Sequence, residues 1–193
     1  MLCGSIILRM SQYLSFLALT SMAMVVPGPD TLVVLRTSLG GGARAGVWAA
    51  AGSAVGLLAW GAAAVLGLTT LLTASPEAFT VVKLAGAAYL AWLGVQSLRA
   101  GSAPAGAALQ GAAFRRGLLS DLANVKVGLF WTALAPQFLG GGPGPAMVVT
   151  ASVLAFAWLS AYALLAGRIR LGGAALNRGA GVAMVALALL LVL

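Results

Sequence analysis

A chain of 193 residues with 62% hydrophobic and 7% charged side chains cannot clothe a soluble globule, whose residues are usually about 25% charged. Its formal charge of +8 comes from eleven Lys and Arg against three acids, set in short stretches between apolar runs, as topology determinants are and a nucleic-acid face is not. One cysteine, Cys3, and no histidine exclude an intramolecular disulfide, a paired-cysteine relay, His-ligated haem and a typical zinc site, so no cofactor and no nucleic-acid partner are expected.

Six apolar stretches each approach the ~20 residues that cross a hydrocarbon core. They predict spans at about 12–35, 46–72, 77–98, 117–139, 145–167 and 171–193. Arg9 followed by the apolar run Tyr13–Val26 has the outline of a signal peptide, but the run continues past the prolines to Leu35 without a small-x-small cleavage site. It reads as a retained first span. The connections carry helix breakers: Gly40-Gly41-Gly42 within 37–46, Gly101, Pro104 and Gly106 within 100–116, and GGGPGP at Gly140–Pro145.

The expected organisation is one transmembrane domain over 1–193, with a first half at about 12–98, a cytoplasmic linker at about 99–116 and a second half at about 117–193. Three spans per half oblige the second half to start on the opposite side from the first. If the halves are related, they form an inverted repeat. The fold expected is therefore an all-α polytopic membrane protein of six transmembrane helices in two inverted three-helix repeats, its first helix broken at Pro27-Gly28-Pro29.

Alternating sides collect Arg36, Arg44, Arg99, Arg115, Arg116, Arg168, Arg170 and Arg178 on one face, against Arg9 and Lys83 on the other. Basic residues stay inside. This predicts a multi-pass protein of the plasma membrane with both termini outside. Gly52 and Gly56, continued by Ala59 and Ala63, give the second span a small face for close helix packing. A homodimer through such faces is one arrangement they allow.

Two polar segments lie within the apolar runs. Pro27-Gly28-Pro29-Asp30-Thr31 cannot continue a regular helix, because two prolines remove two backbone donors. Counted from residue 12, Pro27 lies roughly 22 Å along its span, in the inner half of the membrane. An unpaired Asp30 at mid-membrane would cost on the order of 3 kcal/mol. Ser120-Asp121-Leu122-Ala123-Asn124-Val125-Lys126 opens the fourth span from the same side, with Asn124 and Lys126 roughly 10–14 Å deep. Opposite charges at similar depth should pair, so Asp30 and Lys126 are expected to face one cavity. Glu77 after Pro76 reads as a helix-start acid, and Pro136-Gln137 as a cap. Trp48, Tyr89, Trp92, Trp131, Trp158 and Tyr162 read as interfacial or packing aromatics.

PGPDTLVVLRTSLGGGARAG, KLAGAAYLAWLGVQSLR and RRGLLSDLANVKVGLFWTALAPQF, in this order and spacing, resemble the LysE/RhtB-type amino-acid exporters from about residue 13 to 193. The resemblance implies six spans in two inverted halves and proton-driven export of amino acids or close derivatives. That family's conserved elements fall on Pro27, Gly28, Pro29 and Asp30, and on Asn124 and Lys126. Val125 stands where the family usually has proline, which implies a milder second break, or one made by Asn124.

The expected partners are a small amino acid, protons and the lipid bilayer. Asp30 would take the substrate ammonium, Lys126 and the N–H groups at the break its carboxylate, with Thr31 and Asp121 beside them. A passive channel for small polar solutes is the alternative; it requires a continuous polar stripe, and the spans hold few polar residues. An enzyme is disfavoured by the missing histidine, the single cysteine and the absence of clustered carboxylates along the sequence.

Overall fold

The computed structural model describes residues 2–25, 27–66, 110–138 and 144–168, with isolated positions between 75 and 99 and between 178 and 189. Predicted spans 77–98 and 171–193, Lys83 and most of the linker thus lie largely outside the described residues. Six helices are described: α1 (Leu2–Val25), α2 (Pro29–Gly41), α3 (Ala43–Val65), α4 (Gln110–Leu122), α5 (Val125–Phe138) and α6 (Gly144–Arg168).

α3 and α6 are each long and apolar enough to cross a membrane, over Ala43–Val65 and Gly144–Ala166. α1 and α2 meet the same test as a pair, Met10–Val25 with Pro29–Gly41, bent by 55°. The bend follows from composition. Pro27 cannot donate to the turn before it, and Pro29 occupies the first position of α2, where a backbone N–H has no helical partner anyway. Gly28 precedes it in an extended conformation (φ −119°, ψ −172°), and Leu32 N–H donates to the Gly28 carbonyl at 3.2 Å to close the first turn.

Two expected boundaries move. The glycine-rich segment 37–46 is almost all helix: α2 runs to Gly41, α3 starts at Ala43, and Gly42 alone turns the chain. Its φ of +83° with ψ of 168° is open to glycine and not to a residue with a Cβ. The expected single span at 117–139 is two helices, α4 and α5, and α4 begins at Gln110, inside the segment expected as linker.

α3 is the hub, packing against α2, α4, α5 and α6. Its seam with α4 is backbone on backbone. A Cβ on Gly52 would overlap the Phe114 carbonyl, and one on Gly117 the Ala49 carbonyl. Ser53 Oγ donates to the Gly117 carbonyl across the same seam at 3.3 Å. The Gly52 and Gly56 part of the small face is thus filled from within the chain, while Ala59 on the same face is exposed. Gly52→Ala or Gly117→Ala is expected to cost about 1–3 kcal/mol by overpacking, read as a lower melting temperature in detergent. Gly40→Ala, with nothing within 4 Å of the added Cβ, should leave the melt unchanged.

Phe16, Leu57, Trp131, Met147 and Val148 form a core between α1, α3, α5 and α6, with the Phe16 and Trp131 rings 6.2 Å apart. Val34, Ala49, Ala50, Leu159 and Ala163 close a second core between α2, α3 and α6. Ser38 Oγ donates to the Ala163 carbonyl at 2.6 Å, and the hydroxyls of Tyr13 and Thr150 are hydrogen-bonded, pinning both arms of the bent pair to α6. Leu14, Met22, Val153 and Leu165 point outward, as a lipid-facing surface requires.

Candidate functional site

The break between α1 and α2 and the break between α4 and α5 are built alike. Each new helix follows one extended or turn residue, Gly28 or Asn124, and carries its ionisable side chain second: Pro29-Asp30 in α2, Val125-Lys126 in α5. At the second break the chain needs no proline. Asn124 Oδ1 accepts from the Lys126 N–H at 3.1 Å, which is the N-cap bond of a helix start. The backbone N–H of Asn124 donates to the Asp121 carbonyl at 2.9 Å, and Trp60 Nε1 donates to the same carbonyl at 3.2 Å. The Asp121 carbonyl at the end of α4 is thereby satisfied twice, and the second break is a full one, made by Asn124.

The two breaks repair each other. Pro27 leaves the carbonyl four residues earlier, on Ala23, without its helical donor. Lys126 Nζ fills that vacancy, donating to the Ala23 carbonyl at 2.8 Å, where a helix C-terminus also favours positive charge. In return, Asn124 Nδ2 donates to Asp30 Oδ2 at 2.6 Å, and Asp30 lies in the first turn of α2, where negative charge is favoured. Gly28 leaves room for this crossing: a Cβ there would come 3.8 Å from Lys126 Cδ and 3.9 Å from Asn124 Nδ2.

Asp30, Asp121 and Asn124 are buried, with relative exposures of 9%, 3% and 3%; Thr31 is buried and Lys126 half-buried. All five line one cavity, as does Gly28. Pro29 is buried and Pro27 exposed; these two shape the break and do not line the cavity. Asp30 and Lys126 therefore face the same space, but the closest described partners of Asp30 are Asn124, Ser120 and a second acid, Asp121. Carboxylates that are scattered in sequence are paired by the fold.

The cavity holds about 90 Å³. This is several times the roughly 10–15 Å³ that admits a single water. Its polar lining includes Asp30, Asp121, Asn124 and Lys126; its apolar lining includes Leu57, Phe130, Trp158 and Leu159. Trp158, an ordinary aromatic by sequence, is a wall of this space. No periodicity distinguishes it, because which face of α6 points inward is decided by packing.

The family model for the LysE type translocator matches residues 21–193, across both breaks. The chain is 33% identical over 161 residues to an uncharacterized membrane protein of Bacillus subtilis, YrhP, covering 75% of this chain and 77% of that protein. It is 34% identical over 167 residues to a leucine efflux protein of Klebsiella pneumoniae, covering 80% and 78%, and 32% identical over 167 residues to a leucine efflux protein of Salmonella typhimurium, with the same coverage. No solved structure matches it. With an apolar helical body, two interlocked helix breaks and a family match spanning both, the chain is a helical membrane protein that belongs to the LysE-type translocators.

Proposed function

We propose that the protein exports amino acids from the cytoplasm across the bacterial inner membrane, coupled to proton entry. One observation carries this reading: the ammonium of Lys126, the carboxyl of Asp30 and the amide of Asn124 converge from two helix breaks on one cavity that is otherwise largely apolar. A zwitterion needs an anion for its ammonium and a cation for its carboxylate, set a few ångströms apart. Broken helices add N-terminal N–H groups, which also favour a carboxylate. The apolar lining suits an aliphatic side chain, in keeping with the relatives named for leucine efflux.

In this reading Asp30 receives the substrate ammonium, and Lys126 turns from the Ala23 carbonyl to the substrate carboxylate. Pro27, Gly28 and Pro29 hold the first break open, Asn124 the second, and Thr31 and Asp121 complete the polar wall. The matching plan of the two breaks supports an arrangement of six spans in two inverted halves within a single transmembrane domain, and the bias of basic residues supports both termini outside. A fluorescent reporter fused after Leu193 tests the last point: cytoplasmic signal would contradict it.

The substrate test is a panel of labelled amino acids in proteoliposomes with an imposed pH gradient. Leucine, isoleucine and valine are expected to move saturably, and lysine and glutamate not to. If no amino acid moves, the export reading fails; unsaturable flux with single-channel currents would favour a pore.

A further inference from the structure

Asp121 has no role in the two-point grip on a zwitterion, yet it is the more deeply buried of the two acids. We propose that Asp30 and Asp121 bind a single proton jointly, and that this is the proton exchanged for substrate. The proposal rests on the export reading and adds the group that reading lacks.

The two carboxyl groups are in hydrogen-bonding contact, one from α2 and one from α4, and both line the cavity. Asn124 occupies Oδ2 of Asp30. The remaining oxygen, Asp30 Oδ1, and Asp121 Oδ2 are buried and make no hydrogen bond to a described residue, and the Ser120 hydroxyl beside Asp30 is likewise buried without one. Two ionised carboxylates only accept. A contact between them becomes a hydrogen bond when one of them carries a proton and donates it to the other.

The pairing is built into the packing. Asp121 lies directly on the bare backbone of Gly56: a Cβ there would stand 2.7 Å from both its Cβ and its Oδ2. The charged group facing the pair is Lys126 from α5. The other elements around the cavity bring Thr20 from α1, Ser53 from α3 and Trp158 from α6, none of which ionises in the working range. With one shared proton the pair carries a single negative charge, balanced by Lys126. Without it the site carries one excess negative charge, which an ammonium can neutralise.

Proton and substrate ammonium thus compete for the same two carboxyls. Facing the cytoplasm, the arriving ammonium displaces the proton: the O–H bond breaks and the proton passes to cytoplasmic water. Facing outward, a proton from outside re-forms the O–H bond as the substrate leaves. One proton enters for each substrate exported, and no other reactant is required.

Two readouts test this. In proteoliposomes, the stimulation of leucine transport by a pH gradient, expressed relative to transport without one, is expected to vanish in Asp121→Asn. In infrared difference spectra recorded across a pH titration, the carbonyl stretch of a protonated carboxyl is expected to disappear in Asp30→Asn and equally in Asp121→Asn, because the proton belongs to the pair. Gly56→Ala, which keeps both acids but displaces Asp121, is expected to shift that band, and it serves if Asp121→Asn does not fold. Retained pH stimulation in Asp121→Asn, a band that survives in either asparagine variant, or stimulation by a sodium gradient in place of a pH gradient would overturn the proposal. The infrared result needs no substrate, so a failure of the export reading would leave it standing as a separate outcome.

Discussion

Lys126→Met is expected to slow leucine efflux from proteoliposomes by about 10–100-fold, because a charge-assisted hydrogen bond to the substrate carboxylate is worth about 1.5–3 kcal/mol and each 1.4 kcal/mol is tenfold. The same substitution strips the Ala23 carbonyl of the donor at 2.8 Å that replaces the missing Pro27 N–H. A carbonyl left unsatisfied in the interior costs about 1–3 kcal/mol, so the melting temperature should fall as well. Lys126→Arg preserves the charge and separates the two effects. Its longer fork can still cap the break, so stability should recover more than transport. Efflux at the wild-type rate in Lys126→Met would remove the lysine from the substrate site.

The second large effect belongs to Asn124, whose side chain serves both breaks. Asn124→Leu removes the cap bond to the Lys126 N–H at 3.1 Å and the amide donated to Asp30 at 2.6 Å. A lost N-cap costs about 0.5–2 kcal/mol and an abandoned buried acceptor about 1–3 kcal/mol, which together make about 1.5–5 kcal/mol. Thermal unfolding in detergent reads this directly. Asn124→Ser is the informative companion. Serine caps a helix about as well as asparagine but is too short to span to Asp30, so it should regain the cap's share of stability while transport stays impaired. Equal loss of stability in both variants would mean that the contact with Asp30, and not the cap, is what matters.

How far the sequence reveals this site depends on which physical effect fixes each part. The first break is legible because Pro27 and Pro29 act through their own backbones, wherever the rest of the chain lies. The depth match of Asp30 and Lys126 is legible too, since rise per residue is the same in every helix. The second break is harder. Val125 in place of proline suggests a mild distortion, while the effective signal is Asn124 directly before an apolar run, a capping pattern that operates without proline. The contact of Asp30 with Asp121 is not visible at all in one dimension. It depends on α4 approaching α3 closely enough for Asp121 to rest on Gly56, and on the facing of two helices whose order in the chain says nothing about rotation.

The same reasoning explains why the small face of α3 matters to the site and not only to the fold. Gly52 brings the α4 backbone against α3, and Gly56, one turn on, receives the Asp121 carboxyl. Packing without side chains therefore sets the position of an acid in the cavity. A helix pair held apart by alanines would still cross the membrane, but Asp121 would be displaced from where it now rests.

Whether the cavity between the two breaks is where the exported molecule binds can be tested by one measurement. Thr31 lines that cavity and is buried; in a Cys3→Ser background, Thr31→Cys places a single thiol there. The rate of its modification by a small methanethiosulfonate reagent is followed against leucine concentration in proteoliposomes. Protection is expected, half-complete at the leucine concentration that half-saturates efflux. A modification rate that leucine does not change, in protein that still exports leucine, would contradict a substrate site between Asp30 and Lys126.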